Sequence, residues 1–278
     1  MANPIAYLSR KISVGRKIIA TYRNWPEIFA DYAGLYRKKE MIVTVRDGTR
    51  YLIRSHRVTK TDFYVLNESW LYKLHAGMAQ RFIHPGATVI DIGAHIGAFT
   101  VYAARQAADV TVYSFEPDKD NFKALSENIK LNHLGGRVFP FNMAMAGKPG
   151  ELTLWKSVTD TGQHTAFADR LTYENADHVS HTVPATTLKQ FFDERKIASI
   201  DLMKIDCEGM EYDILYNLPP EYLKRIKAFS IEHHWAPGGD YKELAAYLAG
   251  RGFAITYPDP EFALIYAWRS DAESAVSQ

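Results

Sequence analysis

Apolar positions over the second half of the chain alternate between two spacings, and this alternation predicts strands separated by helices. Short runs rich in β-branched residues predict strands over 87–92, 110–115, 137–142, 200–206, 228–232, 253–257 and 262–268. Helical spacing predicts helices over 97–107, 118–132, 210–217 and 240–251. This order is typical of a doubly wound α/β fold with a parallel sheet, whose ligands bind beyond the carboxyl ends of the strands. Only four residues join the last two strands, so we expect these to pair antiparallel.

The first part of the chain has a different pattern. Helical spacing predicts two helices on either side of Trp25-Pro26, and residues 62–83 also look helical. Two short β-branched runs, over 41–45 and 51–53, flank Asp47-Gly48, which is a strong hairpin signal. We therefore predict a helical extension with a β-hairpin over residues 1–59 and an α/β domain over residues 60–278.

Composition excludes several classes of protein. Hydrophobic residues at 47% and charged residues at 23% are ordinary values for a globular chain. A single cysteine excludes a disulfide framework and a cysteine-based zinc site. The chain has no apolar run of about 18 residues that could span a membrane, and basic residues interrupt any signal-peptide core near its start. We expect a cytoplasmic protein.

The net charge of +1 conceals an asymmetry along the chain. Residues 1–39 contain eight lysines and arginines against two acids, a net charge of +6, so the remainder carries −5. A basic segment of this kind is either a solvated helix face or a contact for phosphate or an anionic surface.

A glycine-rich loop follows the first strand of the α/β pattern. The segment Gly93-Ala-His-Ile-Gly97 lets the backbone turn sharply and approach a ligand, while the helix that follows offers backbone N–H donors. The dinucleotide fingerprint would also need glycine at positions 95 and 98, where His95 and Ala98 stand. Asp91 at the strand end would repel a pyrophosphate but suits an ammonium or sulfonium group. These residues therefore favour S-adenosylmethionine over NAD.

The next two strands end in further candidate cofactor ligands. Glu116 lies 25 residues after Asp91, where an acid holds a ribose diol by charge-assisted hydrogen bonds. The alternative is that Glu116 only caps the helix that starts near Asp118. Asn142 and its apolar neighbours, including Ala144, supply the polar contact and the apolar shelf that an adenine ring needs.

Acidic residues also end the fourth and fifth strands. Asp206 and Glu208 follow one strand, and Glu232 and His233 end the other. Such acids serve as a general base for a substrate hydroxyl or as ligands of a hard cation. Asp206, Glu232 and His233 are the candidate metal ligands, but histidine is a poor ligand for Mg²⁺, so a base is favoured and a divalent cation is not required. Lys204, in the middle of an apolar run, is expected to pair with Asp206 or with a carboxylate of a neighbouring helix.

Residues 156–182 do not fit the alternation of strands and helices. They are polar and include Thr161-Gly162-Gln163-His164. Long irregular stretches in compact domains are usually functional or mobile, and we predict that this one forms a substrate lid.

Together these segments resemble the FkbM family of S-adenosylmethionine-dependent methyltransferases. The resemblance extends over roughly residues 60–257 and implies a class I methyltransferase fold, a Rossmann-like sheet of seven strands with the last strand reversed. It also implies S-adenosylmethionine as the cofactor and O-methylation of a hydroxyl, typically on a sugar or a polyketide. The segments that carry it are Val-Ile-Asp91-Ile-Gly93-Ala-His95-Ile-Gly97, Phe-Glu116-Pro, Asn142-Met-Ala144, Leu-Met-Lys204-Ile-Asp206-Cys-Glu208-Gly209 and Ile-Glu232-His233.

The resemblance assigns roles to the candidate residues. An Asp and an upstream Glu often precede the glycine loop in this family, and Asp62 and Glu68 stand in the corresponding region. The expected proton acceptor is one of Asp206, Glu208 and His233. The expected cofactor ligands are Glu68, Asp91, Gly93, His95, Gly97, Glu116, Asn142, Ala144 and Asp206.

Three other functions compete with an O-methyltransferase. A nucleic-acid methyltransferase would carry an Asn/Asp-Pro-Pro-Tyr type of loop and a basic groove, whereas this chain has Asp-Cys-Glu-Gly and an acidic domain. The missing middle glycine disfavours a NAD-linked oxidoreductase. A non-catalytic module that binds S-adenosylmethionine is the third alternative. We expect a small-molecule, sugar or glycan acceptor and no nucleic acid, with the basic N-terminal helices either covering the acceptor cleft or contacting a membrane surface.

Overall fold

The N-terminal segment folds as helices and a hairpin. In the computed structural model, which describes residues 4–157, 164–167, 178–258 and 262–270, the predicted hairpin and the two helices before it are confirmed. The predicted helical region over 62–83 is two helices, because the backbone of Lys73 between them takes a positive φ of 58°. The elements are α1 (Pro4–Thr21), α2 (Trp25–Tyr32), β1 (Glu40–Thr44), β2 (Arg50–Arg54), α3 (Thr61–Trp70) and α4 (Ala76–Phe82).

The N-terminal elements share a hydrophobic core with the α/β part of the chain. Ile18, Tyr22 and Ile53 are almost fully buried in a cluster that also contains Val89 of the central sheet. The Tyr22 hydroxyl donates a hydrogen bond of 2.9 Å to Asn67. Among the α1 side chains whose burial is described, Ile18 and in part Val14 pack on the protein itself, whereas Ile12 and Ile19 are exposed. A division of the chain at residues 59 and 60 stays a prediction.

A mixed sheet lies at the centre of the α/β part. The elements that follow α4 are β3 (Thr88–Ile92), α5 (Ala98–Ala104), β4 (Thr111–Phe115), α6 (Lys119–Leu131), β5 (Val138–Phe141), β6 (Ala144–Met145), β7 (Gly150–Ser157), β8 (His164–Thr165), β9 (His178–Thr186), α7 (Leu188–Arg195), β10 (Leu202–Ile205), α8 (Glu211–Tyr216), α9 (Pro220–Leu223), β11 (Ala228–Glu232), α10 (Tyr241–Ala249), β12 (Phe253–Thr256) and β13 (Leu264–Arg269). Seven of the described strands form the sheet, in the order β12-β13-β11-β10-β3-β4-β5.

The last strand of this sheet is reversed. β13 pairs antiparallel with both β11 and β12, whereas β11, β10, β3, β4 and β5 pair parallel with one another in that order. The class I methyltransferase fold is therefore confirmed, including the antiparallel pairing of the last two strands. The carboxyl ends of β3, β4, β10 and β11 meet at one edge, where the predicted site residues follow them.

A second sheet replaces part of the stretch that we predicted to be irregular. β7 pairs antiparallel with β9 from Gly150↔Ala185 to Ser157↔His178, and β8 pairs with the end of β7. Many side chains on these exposed strands are polar, so the strands lack the clear alternation of apolar and polar residues by which a strand is recognised. This is why the sequence predicted a loop. Residues 158–163 and 168–177 of the predicted lid lie outside the described residues. No helix in the part of the chain described here is long and apolar enough to cross a bilayer.

Candidate active site

One cavity of about 560 Å³ opens at the carboxyl edge of the central sheet. Its volume falls within the range of about 300–1,000 Å³ that is usual for ligand pockets. The predicted site residues that line it are Glu68, Gly93, His95, Glu116, Ala144, Asp206, Glu208 and Glu232. The structure thus brings together residues from six separate segments of the chain. Asp91, Gly97, Asn142 and His233 are absent from the cavity walls that the described residues form.

Close packing as well as ligand approach requires glycine at position 93. Gly93 has a positive φ of 77°, and a Cβ atom there would lie 1.7 Å from the backbone oxygen of Asp206. The loops after β3 and β10 therefore touch at this point. Gly97, with a φ of 83°, starts α5, and a Cβ atom there would lie 2.6 Å from a side-chain carbon of Leu125.

Asp91 lies beneath the glycine loop and not in the cavity wall. It is fully buried and accepts a hydrogen bond of 2.6 Å from the Thr100 hydroxyl. The Lys204 ammonium lies 3.6 Å from its other oxygen. Burial raises the pKa of Asp91, and the charge of Lys204 opposes that rise. Asp91 therefore supports the loop from beneath. It does not line the cavity, whereas the sequence predicted that it contacts the ligand directly.

Glu116 faces the cavity from the end of β4. Its two carboxylate oxygens accept backbone N–H bonds from His95, at 2.8 Å, and from Asp118, at 2.9 Å. Burial raises its pKa to about 7. The cap of α6 is Asp118, which accepts from the backbone of the first helical turn, so Glu116 is not the helix cap. Asn142 donates to the carbonyls of Glu116 and Pro117, which places it behind the loop instead of in the adenine position that we predicted.

Lys204 reaches Asp206, as predicted. Its ammonium lies 3.0 Å from Asp206 and donates to the Gly93 carbonyl at 3.2 Å. Its second acidic partner is Asp91 on the neighbouring strand, not a helix carboxylate. Burial alone would raise the pKa of Asp206, but the charges of Lys204 and His234 outweigh it and hold that pKa below its usual value. Asp206 is therefore ionised at neutral pH.

The histidine that joins the acidic group is His234, which the sequence analysis missed. Its Nδ1 lies 2.8 Å from Glu211, a fully buried acid. Its Nε2 faces carboxylates at 3.8, 3.8 and 3.6 Å, which belong to Asp206, Glu208 and Glu232. Burial alone would lower the pKa of His234, but the surrounding carboxylates raise it well above its usual value.

His233 points elsewhere. Its ring stacks on Tyr241 with centroids 4.4 Å apart and planes 6° apart. The metal set that we predicted, with His233 beside Asp206 and Glu232, is therefore corrected to one with His234. Neighbouring residues along a strand point in opposite directions. Because β11 ends at Glu232, the backbone that follows decides whether His233 or His234 faces Asp206.

The corrected set fits Mg²⁺ poorly. Ligand atoms of Asp206, Glu232 and His234 lie within 4.8 Å of one another. Mg²⁺ prefers an octahedron of oxygens, whereas one of the three ligands is an imidazole. The Lys204 ammonium already neutralises Asp206 at 3.0 Å. We therefore derive no chemical step through a divalent cation.

Carboxylates dominate the charged groups in the cavity wall. Among the described lining residues, five are acids and one is a lysine; the acids are Glu68, Glu116, Asp206, Glu208 and Glu232. Burial, followed by the charge of Glu232, raises the pKa of Glu68 well above its usual value. Burial, followed by the charge of Asp206, raises that of Glu232. Such a wall suits a cationic ligand and disfavours a pyrophosphate.

N-terminal elements form another part of the cavity wall. Val14 of α1, Tyr32 of α2 and Tyr64 of α3 line it, together with Tyr72 just after α3. Sequence reasoning missed this wall, although one signal was available. Tyr64 precedes Glu68 by four residues on the same helix, so the two side chains share a face.

Part of the predicted lid also reaches the cavity. His164 and Ala166 line it, and the Thr165 hydroxyl donates to the Glu208 carbonyl at 2.9 Å. The ring of Phe167 lies so close to Gly209 that a Cβ atom on that glycine would approach it to 3.0 Å. Two residues from the described part of the stretch thus form part of the cavity wall.

Comparisons with known proteins give the family. Residues 91–255 match the methyltransferase FkbM domain, more than half of the chain. The 31-O-demethyl-FK506 methyltransferase FkbM of Streptomyces tacrolimicus is 30% identical over 204 residues, which cover 65% of this chain and 78% of that protein. The hexuronic acid methyltransferase AglP of Haloferax volcanii is 22% identical over 159 residues, 57% of this chain and 60% of that protein. Among solved structures, an rRNA methylase from Streptococcus thermophilus has a TM-score of 0.41 at 12% identity, covering 72% of this chain and 95% of that one. The domain match carries the assignment, and the chain belongs to the FkbM family of S-adenosylmethionine-dependent methyltransferases.

Proposed function

We propose that this enzyme is an O-methyltransferase that acts on a hydroxyl of a sugar or a related small molecule. The observation that carries the proposal is that one cavity is lined by the glycine loop and Glu116, by the ionised Asp206, and by tyrosines of the N-terminal segment. A cofactor, a proton acceptor and a ring-shaped acceptor therefore have places in a single space.

Residues around the glycine loop hold the cofactor. When bound, S-adenosylmethionine supplies a methyl group that the sulfonium charge already activates. Glu116 takes the ribose hydroxyls, and the backbone at Gly93 and His95 borders the same position. Ala144 provides an apolar surface for the adenine ring, and Glu68 faces the methionine ammonium group. The acidic wall offsets the positive charges of the cofactor.

Asp206 accepts the proton of the acceptor hydroxyl. It lines the cavity, and Lys204 keeps it ionised, which a proton acceptor must be. Glu232 has a raised pKa, so it holds a proton more readily and leaves the ionised state to Asp206. Glu208 borders the same wall, and His233 has no part in the reaction because its ring stacks on Tyr241. A placed base contributes roughly 10²- to 10⁴-fold in rate.

The acceptor lies against the tyrosine wall, the part of the cavity wall formed by Tyr32, Tyr64 and Tyr72. Tyr32 and Tyr64 are 48% and 50% exposed, so their rings remain available to a ligand. A tyrosine ring offers an apolar face with a polar tip, which suits a hydroxylated ring. The names of two relatives specify a 31-O-demethyl compound and a hexuronic acid. Contact of the basic N-terminal helices with a membrane surface, and a cytoplasmic location, stay predictions.

A methyl-transfer assay tests the proposal. The enzyme is incubated with S-adenosylmethionine labelled in its methyl group and with hexuronic-acid oligosaccharides, neutral glycans or RNA in separate reactions. We expect label in a sugar reaction, in a product that mass spectrometry identifies as a methyl ether. Asp206→Asn should lose about 10²-fold or more of turnover while its affinity for S-adenosylhomocysteine, measured by calorimetry, changes little.

Asp109→Asn serves as the matched control. Asp109 is exposed and has a φ of 54°, a conformation that asparagine also adopts readily. This variant should retain full activity. Label in RNA alone, or full turnover of Asp206→Asn, would contradict the proposal.

A further inference from the structure

We propose that His164 binds the adenosine half of the cofactor through its Nε2 atom. The inference rests on the proposed function in one respect, the placement of the ribose at Glu116. His164 comes from the stretch that the sequence predicted to be a substrate lid. In this assignment, however, it serves the cofactor and not the acceptor.

Strand β8 places His164 in the cavity wall. Its residues pair with β7 as Trp155↔Thr165 and Lys156↔His164. Lys156 is tied by an ion pair of 2.8 Å to Asp118, two residues beyond Glu116. The other residue of this short strand, Thr165, donates a hydrogen bond from its hydroxyl to the Glu208 carbonyl in the loop after β10. His164 therefore lies at the Glu116 side of the cavity.

The side chain of His164 has an unmet hydrogen-bonding atom. His164 is 9% exposed and lines the cavity. Its Nε2 is buried and has no hydrogen-bond partner among the residues that the structure describes. Burial lowers its pKa to about 4, so the ring is neutral at neutral pH. Buried polar atoms in native proteins nearly always have a partner, and a bound ligand would supply one here.

The chemistry of a neutral imidazole favours the nucleoside over the amino-acid half of the cofactor. The methionine half carries an ammonium and a carboxylate, and the acids of the cavity wall, such as Glu68, suit the ammonium. Adenosine is uncharged and offers ring nitrogens, an exocyclic amine and hydroxyls. A neutral imidazole nitrogen can donate to or accept from these groups at no electrostatic cost.

Calorimetry with two ligands tests the assignment. S-adenosylhomocysteine contains both halves of the cofactor, whereas 5′-methylthioadenosine lacks the amino-acid half. We expect His164→Ala to weaken the binding of both ligands by about tenfold, the effect of losing one buried hydrogen bond. His164→Gln keeps a polar group at similar reach and should retain most of the affinity. His181→Ala on β9, outside the cavity wall, is the matched control and should bind like the wild type.

The outcomes separate this inference from the proposed function. If His164→Ala binds 5′-methylthioadenosine as the wild type does, the assignment to adenosine is wrong. The same conclusion holds if His181→Ala weakens binding equally, because the effect would then not be specific to His164. If the wild type itself does not bind S-adenosylhomocysteine, the cofactor site fails, whatever the role of His164. If Ala at position 164 prevents folding, the Gln variant decides: affinity close to that of the wild type supports the hydrogen bond, and no measurable binding overturns it.

Discussion

Gly93→Ala is the substitution that tests most directly how the cofactor loop is built. The Cβ atom that this change adds would lie 1.7 Å from the backbone oxygen and 2.7 Å from the carbonyl carbon of Asp206. No side-chain rotation relieves the contact, because both atoms belong to the backbone. The loops after β3 and β10 must therefore move apart, and Asp206 moves with them.

The structure gives the size of the effect. Alanine with a positive φ costs about 1–2 kcal/mol, and an extra carbon in a packed site costs about 1–3 kcal/mol more. Gly93→Ala should therefore lower the free energy of unfolding by about 2–5 kcal/mol. Because a domain is typically stable by about 5–15 kcal/mol, the variant should still fold. Its affinity for S-adenosylhomocysteine should fall, since the cavity wall at Asp206 is displaced.

Gly48→Ala is the matched control. Gly48 also has a positive φ, of 96°, but a Cβ atom there meets nothing within 4 Å. Its cost should be limited to the backbone contribution of about 1–2 kcal/mol. Urea denaturation of the two variants and the wild type, with equal m-values, gives the comparison. If Gly93→Ala is no more destabilising than Gly48→Ala, the contact with Asp206 does not constrain the loop and the reasoning is refuted.

Three further predictions concern charge in the cavity. Burial raises the pKa of Glu116 from 4.5 to about 7, so its ionisation opposes folding, and stability should fall by about 3 kcal/mol as the pH rises from about 4.5 to above 7. Glu116→Gln should remove that loss in urea denaturation at successive pH values, and an unchanged slope would contradict the assignment. His234→Ala should destabilise the protein by about 3–5 kcal/mol because it leaves the buried Glu211 without its imidazole partner. His233→Ala, the control, should cost about 1 kcal/mol for a lost ring contact. If urea denaturation shows the same loss in the free energy of unfolding for both variants, the corrected cluster is wrong. Millimolar Mg²⁺ should leave the thermal midpoint unchanged, whereas a site filled at a hundredfold excess over its Kd would add about 2.7 kcal/mol of stability.

The sequence predicted the central sheet well because each strand there has a local signal. Buried parallel strands are mostly apolar runs, and all four residues of β10, from Leu202 to Ile205, are buried although Lys204 is among them. The reversed last strand also followed from a local feature, the short connection before β13. The small sheet of β7, β8 and β9 has no such signal, since its pairing joins residues up to 35 positions apart and its exposed faces are polar.

Within the site, strand ends were predicted more reliably than side-chain directions. Topology alone brings the ends of β3, β4, β10 and β11 to one edge, so Glu116 and Asp206 could be expected to meet there. Asp91 fits the same rule, yet it is the last residue but one of β3 and its side chain is fully buried. One residue along a strand reverses the side-chain direction, and nothing local in the sequence indicates where the strand gives way to the loop.

The tyrosine wall shows which part of substrate recognition a sequence can reveal. Once Glu68 is placed in the cavity, the helical repeat places Tyr64 beside it. One helix, α3, therefore carries both a residue that we propose for the cofactor and one that we propose for the acceptor. The contribution of Val14 and Tyr32 depends instead on how α1 and α2 dock, which is decided by contacts such as that between Tyr22 and Asn67, 45 residues apart. Since the same docking buries Ile18 of α1, packing of the N-terminal helices and formation of the wall that we propose for the acceptor are coupled. Substitutions that loosen Tyr22 should therefore alter acceptor recognition before they alter cofactor binding.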